Sequence, residues 1–176
     1  MKPPVTVRPA ACGDEAQLWA LICGLAAYEH LEHELSGSPE SLAADLFGPS
    51  PHVGVLVAAE KHEERSEEQQ AEDRRLVGYA MYYPTYDSYA GTRGLWLTDL
   101  FITPTHRGTG LGRALLGGLA RVAQTCGASR LEWDVLEWNI AALGFYRRAG
   151  AVPTPGWARQ RLAGAALTAL AAECSG

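Results

Sequence analysis

The pattern of hydrophobic and polar positions along the chain predicts a mixed α/β (α+β) protein. Mostly apolar runs of strand length occur at residues 5–8, 53–59, 76–83, 95–102 and 131–136, and residues 151–152 and 159–163 are predicted to supply two final short strands. Apolar residues recur at helical spacing at 14–28, 38–48, 113–126, 139–149 and 165–174. The order of these elements predicts a mixed, mostly antiparallel central sheet of six to seven strands flanked by helices.

Residues with known preferences mark the ends of several predicted helices. Asp14, Ser38 and Asn139 each stand where an N-cap is expected, and Gly150 follows the last residue of the helix that Asn139 begins. Residues 60–75, between the second and third strands, are almost wholly charged or polar. We interpret this segment as a long, solvated hairpin loop.

Composition narrows the class of protein and of partner. A chain of 176 residues, 47% hydrophobic and 20% charged, predicts a single domain over residues 1–176. The net charge of −5 disfavours nucleic acid as a partner and suits a cationic one. No signal peptide or membrane-spanning length is evident, so no membrane partner is expected. The four cysteines are scattered without a metal-binding spacing, which predicts reduced thiols in a cytoplasmic protein.

The strongest chemical signal is the segment Arg107-Gly108-Thr109-Gly110-Leu111-Gly112. It connects the predicted strand at 95–102 to an amphipathic helix, and its alternate glycines let the backbone turn tightly. The first amide N–H groups of a helix are unpaired and the helix dipole favours negative charge there. Arg107 adds a fixed positive charge. We therefore predict an anion site, best suited to a pyrophosphate.

Two better-known phosphate-binding loops do not fit this segment. A Walker loop needs a lysine and then Ser or Thr after the last glycine, whereas Arg113 and Ala114 follow here. The spacing Gly-x-Gly-x-Gly also differs from the Gly-x-Gly-x-x-Gly of dinucleotide-binding folds. A glycine-rich turn that binds nothing is the remaining alternative.

With this loop placed after the fourth strand, the chain resembles acetyltransferases of the GNAT superfamily, whose signature has an RGxGxG variant. Four stretches in the same order resemble the diamine (spermidine/spermine) N-acetyltransferase subfamily. They are residues 28–29 with the acidic run behind them, 77–83 with 85–87, 97–101, and 137–139 with 145–150. The resemblance implies an acetyl-CoA-dependent N-acetyltransferase. Its acceptor would be a primary amine of a small cation such as a diamine, a polyamine or a thialysine-like amino acid.

The resemblance also implies which residues hold acetyl-CoA. The fourth strand would pair with the pantetheine arm, the glycine loop would hold the pyrophosphate, and the helix after Asn139 would line the cofactor. The implied cofactor-binding residues are Leu100, Phe101, Ile102, Arg107, Gly108, Thr109, Gly110, Leu111, Gly112, Arg113, Asn139, Ala142 and Tyr146. The residues expected at the amine end are Tyr28, Glu29, Asp87, Glu132, Trp133 and Asp134. Because most of these are acidic, we expect a dication to bind better than a monoamine.

Two residues are candidates for proton transfer. The phenol of Tyr146, implied to lie beside the thioester sulfur, suits a donor to the departing thiolate. The subfamily has a glutamate at the position of Thr98, and threonine has no acid–base chemistry near neutral pH. The nearest carboxylate to that position is Asp99. Strict strand alternation would point Asp99 away from the face of Thr98, and a β-bulge would relax that restriction. A water relay, or a purely electrostatic role for the carboxylates, stays open.

Three further expectations complete the picture. The loss of the expected acid at Thr98 raises the alternative of a non-catalytic acyl-CoA-binding or regulatory module. His30 and His33 lie in an acidic run, but two histidines do not make a zinc site, so no metal is expected. The resemblance implies a homodimer.

Overall fold

The computed structural model describes residues 3–60 and 75–173. The strands are β1 (Val5–Pro9), β2 (Gly54–Glu60), β3 (Leu76–Asp87), β4 (Thr92–Ile102) and β5 (Ala128–Glu132). The α-helices are α1 (Glu15–Glu29), α2 (Pro39–Phe47), α3 (Leu111–Thr125), α4 (Ile140–Ala149) and α5 (Gly164–Glu173). Two short 3₁₀ turns lie at Glu32–Glu34 and Pro104–His106.

The strands form one sheet in the order β1-β2-β3-β4-β5. β1, β2, β3 and β4 each pair antiparallel with the next strand in that series, and β5 pairs parallel with β4. A parallel neighbour requires a crossover, and α3 supplies it. The predicted mixed, mostly antiparallel sheet is confirmed, but it has five strands among the described residues rather than six to seven.

The chain forms two compact units, Met1–Asp134 and Val135–Gly176. The first contains the whole sheet with α1, α2 and α3, and its core consists of two apolar clusters. The first cluster joins α1 and α2 to one set of sheet residues, and its buried members are Leu18, Leu21, Leu42, Leu46, Val55, Val57, Ala59, Leu76, Tyr79, Met81 and Phe101. The second joins α3 to the others, and its buried members are Leu56, Ala58, Val77, Ala80, Leu97, Leu115 and Leu119. The single-domain organisation stays a prediction.

A β-bulge interrupts β4 at Thr98. Met81 of β3 pairs with Asp99, but the next residue, Tyr82, pairs with Leu97, so Thr98 is an extra residue in the ladder. Leu97 and Phe101 are four residues apart and would share a face in a regular strand. They lie in different clusters here, Phe101 in the first and Leu97 in the second. The bulge therefore turns Asp99 and Phe101 onto the same face as α1.

The predicted end residues of α2 and α4 cap those helices in the structure. The side chain of Ser38 accepts the backbone N–H of Ser41 in a reciprocal capping box at the start of α2. The side chain of Asn139 accepts the N–H of Ala142 at the start of α4, and Gly150 ends that helix with φ of 98°. Asp14 differs, because its carboxylate binds the Arg8 guanidinium and caps no helix N–H.

Three predictions of local structure were wrong. β5 begins at residue 128 and ends at residue 132, because its pairing with β4 starts at Ala128 and includes the polar residue Arg130, which an apolar run does not reveal. Residues 151–163 form no strand. Residues 152–163 are exposed, so that segment buries no strand face, and Pro153 and Pro155 between the two predicted strands cannot donate to a ladder. Glu60, predicted to begin a solvated loop, is the buried last residue of β2. The rest of that predicted loop, residues 61–74, lies outside the described part of the chain.

The second unit contains α4 and α5. Neither helix buries a residue among those described. Several large apolar side chains in this unit are at least half exposed, namely Trp138, Ile140, Val152, Trp157, Leu167 and Leu170. Within residues 3–60 and 75–173, no helix has both the length and the apolar character that crossing a bilayer requires.

Candidate active site

The predicted anion loop lies where β4 ends and α3 begins. Gly108 and Gly110 have φ of 75° and 90°, in the left-handed region that only glycine adopts without strain. Gly110 is the N-cap residue of α3 and has no side chain to cap the first turn. A Cβ at either glycine would meet no atom within 4 Å, so both face open space. An exposed, uncapped helix N-terminus of this kind suits an anionic group.

The side chain of Arg107, the first residue of this loop, stacks on aromatic rings from α1 and β4. Its guanidinium carbon lies 4.5 Å from the ring centroid of Tyr28 and 5.7 Å from that of Phe101. Its Nε donates to the carbonyl oxygen of Ile102 at 3.1 Å. The structure therefore brings together Arg107 and Phe101, predicted from the cofactor side, and Tyr28, predicted from the amine side.

A buried polar cluster around His106, just before the loop, was not predicted from the sequence. The Nε2 of His106 lies 2.9 Å from Oε1 of Glu60, and both residues are less than 8% exposed. Because a carboxylate only accepts, Nε2 carries the proton. The Nδ1 of His106 contacts the hydroxyls of Thr103 and Thr105 at 2.9 and 3.1 Å. The hydroxyl of Thr109 donates to the His106 carbonyl at 2.7 Å, which ties the loop to the end of β2.

No pattern in the sequence could have revealed this pair. Glu60 stands at the edge of a charged run and His106 in a polar turn, so each resembles a solvated residue. Forty-six positions separate them along the chain. Only the pairing of β2 with β3 and of β3 with β4 brings them together.

Asp99, the predicted base, lies on the α1 side of the sheet. The hydroxyl of Tyr79 donates to its Oδ2 at 3.3 Å. Burial raises the pKa of Asp99 above its usual range, and the hydrogen bond from Tyr79 partly opposes that rise. The pKa of Tyr79 lies well above 10, first because of burial and then because of the charge on Asp99. Tyr79 therefore stays protonated and acts as a donor.

Glu29, at the end of α1, is the second carboxylate on this side. Burial raises its pKa, and the negative charge of Asp99 raises it further. The negative charges of Glu29 and Asp99 therefore repel each other in a partly buried environment. A cation between or beside them would relieve both the desolvation and the repulsion, so this region suits an ammonium group.

Two other predicted substrate carboxylates are occupied by ion pairs. Arg130 donates from Nε to Glu132 at 2.6 Å and from Nη1 to Asp87. The other oxygen of Asp87 accepts the backbone N–H groups of Tyr89 and Ala90 at 2.9 and 3.1 Å. Arg130 therefore neutralises much of the negative charge that these two residues were predicted to contribute. Their role in substrate binding stays a prediction.

The remaining predicted residues lie apart from this group in sequence. Trp133 packs against the second apolar cluster, and Asp134, the last residue of the first unit, is exposed. In the second unit, Asn139 caps α4 through Ala142, and Tyr146 stands in the middle of that helix with its ring centroid 5.1 Å from that of Phe145. Their roles also stay predictions.

The sequence is similar to those of known acetyltransferases. Residues 25–151 match the Acetyltransferase (GNAT) family. The thialysine N-epsilon-acetyltransferase of Bos taurus is 36% identical over 172 residues, covering 96% of this chain and 98% of that protein. The spermidine/spermine N(1)-acetyltransferase-like protein 1 of Homo sapiens is 33% identical over 146 residues, covering 83% of this chain and 20% of that protein.

A solved structure supports the same fold. The integron cassette protein VCH_CASS6 from the mobile metagenome of V. cholerae superposes with a TM-score of 0.72 at 25% identity. The match covers 95% of this chain and 97% of that one. The predicted fold class is therefore confirmed by both the sheet topology and the likeness to a solved structure.

Proposed function

The chain belongs to the acetyltransferase (GNAT) family and is an N-acetyltransferase for small amines, and we propose that it transfers the acetyl group of acetyl-CoA to a primary amine of a small cation. The observation that carries the choice of acceptor is the pair of partly buried carboxylates, Asp99 and Glu29, whose pKa values are both raised. Two negative charges in such a setting are stabilised by a cation. The similarity to the thialysine N-epsilon-acetyltransferase named above also supports a cationic amine as the acceptor.

The residues of the glycine loop fit acetyl-CoA, which supplies an activated acetyl thioester. Gly108 and Gly110 leave open the space that phosphate oxygens need, and the N-terminus of α3 directs its amides toward that space. Arg107 adds a positive charge nearby. GNAT acetyltransferases generally use acetyl-CoA, and we assign the backbone of Leu100 to Ile102 to the pantetheine arm by resemblance.

Asp99 and Glu29 prepare the amine. An alkylamine with a reference pKa of about 10.4 is protonated at neutral pH and cannot attack until it loses a proton. In this proposal Asp99 binds the ammonium group and accepts one proton at a carboxylate oxygen, while Glu29 supplies a second negative charge. General-base catalysis of this kind contributes about 10²–10⁴-fold.

By resemblance to the family, we assign the remaining proton transfer to Tyr146. Its phenol oxygen would give a proton to the departing sulfur and regain one from the amine nitrogen as the new carbon–nitrogen bond forms. Overall, an ammonium ion and a thioester give an amide, a thiol and one proton, which Asp99 releases to solvent. Each carbon–sulfur bond broken is matched by one carbon–nitrogen bond formed.

The acceptor is proposed to be short. Thr98 supplies no carboxylate, and Arg130 already pairs with Asp87 and Glu132. The negative charge available to a substrate is therefore concentrated near Asp99 and Glu29 rather than spread along a groove. We propose that diamines and thialysine-like side chains are used at least as well as the long polyamine spermine.

The first prediction concerns the cofactor loop. Replacing Gly110 by valine puts a β-branched residue at a φ of 90° and fills the open space beside the helix N-terminus. We expect the Kd of acetyl-CoA, measured by isothermal titration, to rise at least about tenfold. The matched control is Gly117→Ala, a glycine within α3 that also faces open space but has no positive φ. An unchanged Kd in a folded Gly110→Val protein would show that the pyrophosphate binds elsewhere.

The second prediction concerns the acceptor. We expect kcat/KM, followed by CoA release, to be at least about tenfold higher for a diamine or thialysine than for a monoamine of similar size. The preference should shrink as the ionic strength rises, because salt screens exposed charges. Turnover of any amine excludes the alternative of a non-catalytic acyl-CoA-binding module. A preference for a neutral or acidic acceptor, independent of salt, would contradict the cationic acceptor.

The third prediction concerns assembly. The half-exposed Leu167 and Leu170 of α5, together with the exposed Trp157, are costly to leave in water. With the family resemblance, they support a homodimer, and sedimentation at micromolar concentration should give twice the 18.9 kDa chain mass. Leu167→Glu with Leu170→Glu should weaken the dimer. A wild-type monomer would contradict this proposal.

Location and other partners follow from composition. The described cysteines Cys12, Cys23 and Cys126 are free thiols, which suits a reducing compartment, and we propose a cytoplasmic protein. The net charge of −5 disfavours nucleic acid as a partner. Small-molecule amines are therefore the proposed partners, with no membrane involved.

A further inference from the structure

We infer that Tyr79 is a positioning residue for the reaction, which holds the Asp99 carboxylate in its ionised form on the face of the sheet where the amine binds. This inference rests on the proposed role of Asp99 as the group that receives the amine's proton. Tyr79 is not among the site residues that the resemblance implies, and the sequence alone predicts only that it lies in a strand.

The sheet register brings the two side chains together. Tyr79 pairs with Phe101 across the ladder, and Asp99 pairs with Met81, so Tyr79 and Asp99 are diagonal neighbours on one face of an antiparallel pair. Diagonal positions are about 7–8 Å apart, a span that a tyrosine can cross. The bulge at Thr98 does not separate them, because it lies on the far side of Asp99.

The hydroxyl of Tyr79 makes this hydrogen bond from within the core. The side chain is fully buried, with no exposed area, in the cluster formed by α1, α2 and the sheet. A phenylalanine would fill that space without burying a polar atom. A buried hydroxyl left without a partner costs about 1–3 kcal/mol, so the hydrogen bond to Asp99 is the reason that a tyrosine is tolerated here.

The hydrogen bond favours one protonation state of Asp99. Tyr79 remains protonated because its pKa lies well above 10. An O–H group bound to a carboxylate oxygen stabilises the negative charge, which opposes the rise in the pKa of Asp99 that burial causes. Tyr79 thus keeps available the form of Asp99 that can attract an ammonium group and accept its proton.

Other charged groups around Asp99 act in known directions. From α1, Glu29 interacts with Asp99 by like-charge repulsion, and Cys23 acts electrostatically on Tyr79. From β3, Tyr79 donates its hydrogen bond. Arg107 stacks on the rings of Tyr28 and Phe101. Among these groups, the Tyr79 hydroxyl is the one whose removal should destabilise the ionised form of Asp99, and so raise its pKa, while leaving every formal charge at neutral pH unchanged.

The test is the pH dependence of kcat/KM for Tyr79→Phe, with Tyr82→Phe as the matched control. Tyr82 lies on the same strand but packs against the second cluster, where it is a partly buried tyrosine. We expect the acid limb of the Tyr79→Phe profile to move to higher pH, because the pKa of Asp99 rises when the hydrogen bond is lost. At a fixed pH on that limb, kcat/KM should fall about tenfold, and the difference should close as the pH rises. Tyr82→Phe should leave the limb in place.

A double-mutant cycle separates positioning from packing. If Tyr79 acts through Asp99, Tyr79→Phe should cause no further loss of kcat/KM when Asp99 is already asparagine. A loss of equal size in both backgrounds would overturn the inference. So would an acid limb that does not move in Tyr79→Phe, or that moves equally in Tyr82→Phe.

Carbon-13 NMR of the Asp99 carboxyl group gives a measurement that needs no turnover. Its titration should move to higher pH in Tyr79→Phe and stay unchanged in Tyr82→Phe. If the wild-type protein acetylates no amine but this titration moves, the proposed function fails and the Tyr79–Asp99 coupling stands. If acetyl transfer is present and the titration does not move, the inference fails and the proposed function stands.

Discussion

The extra residue in β4 is the constraint on which the candidate site depends. In a regular strand Leu97, Asp99 and Phe101 would share one face. The bulge at Thr98 places Leu97 against α3 and the other two on the side of α1. One inserted residue thus lets the same strand serve the core beneath α3 and present a carboxylate on the opposite face.

Two regions of opposite charge preference follow from this arrangement in the first unit. At the end of β4, the uncapped N-terminus of α3 and Arg107 favour an anion. Earlier in β4, Asp99 with Glu29 of α1 favours a cation. A reaction between a phosphate-bearing acetyl donor and a cationic amine requires both preferences on one scaffold. The buried contact between Glu60 and His106 ties the anion loop to the sheet.

The order of elements and the glycine loop could be predicted because short-range signals determine them. The Ser38 capping box, the Gly150 helix end and the strand–loop–helix at the glycine loop each depend on residues within a few positions of one another. The paired apolar runs that make β2 to β4 are equally local. These are the parts of the fold that agree with the sequence analysis.

What the sequence did not reveal depends on register between strands. The Tyr79–Asp99 contact spans 20 positions, the Arg130–Asp87 pair 43 and the Glu60–His106 pair 46. Each becomes visible only when the ladder is known, and a one-residue shift would separate the partners. The two final strands predicted at residues 151–152 and 159–163 do not form, and residues 152–163 are exposed, so these short segments bury no strand face.

We propose that Asp99 is kept in a partly buried position for function, at some cost in stability. Its raised pKa means that the folded chain binds a proton there more tightly than the unfolded chain, so stability falls as the pH rises through that range. The most direct test is Asp99→Asn, which keeps an acceptor for Tyr79 but removes the charge. At pH 7 we predict a higher Tm, a gain that disappears as the pH falls and wild-type Asp99 becomes protonated, together with a loss of kcat/KM of about 100-fold or more. A lower Tm at pH 7 with unchanged kcat/KM would contradict the account.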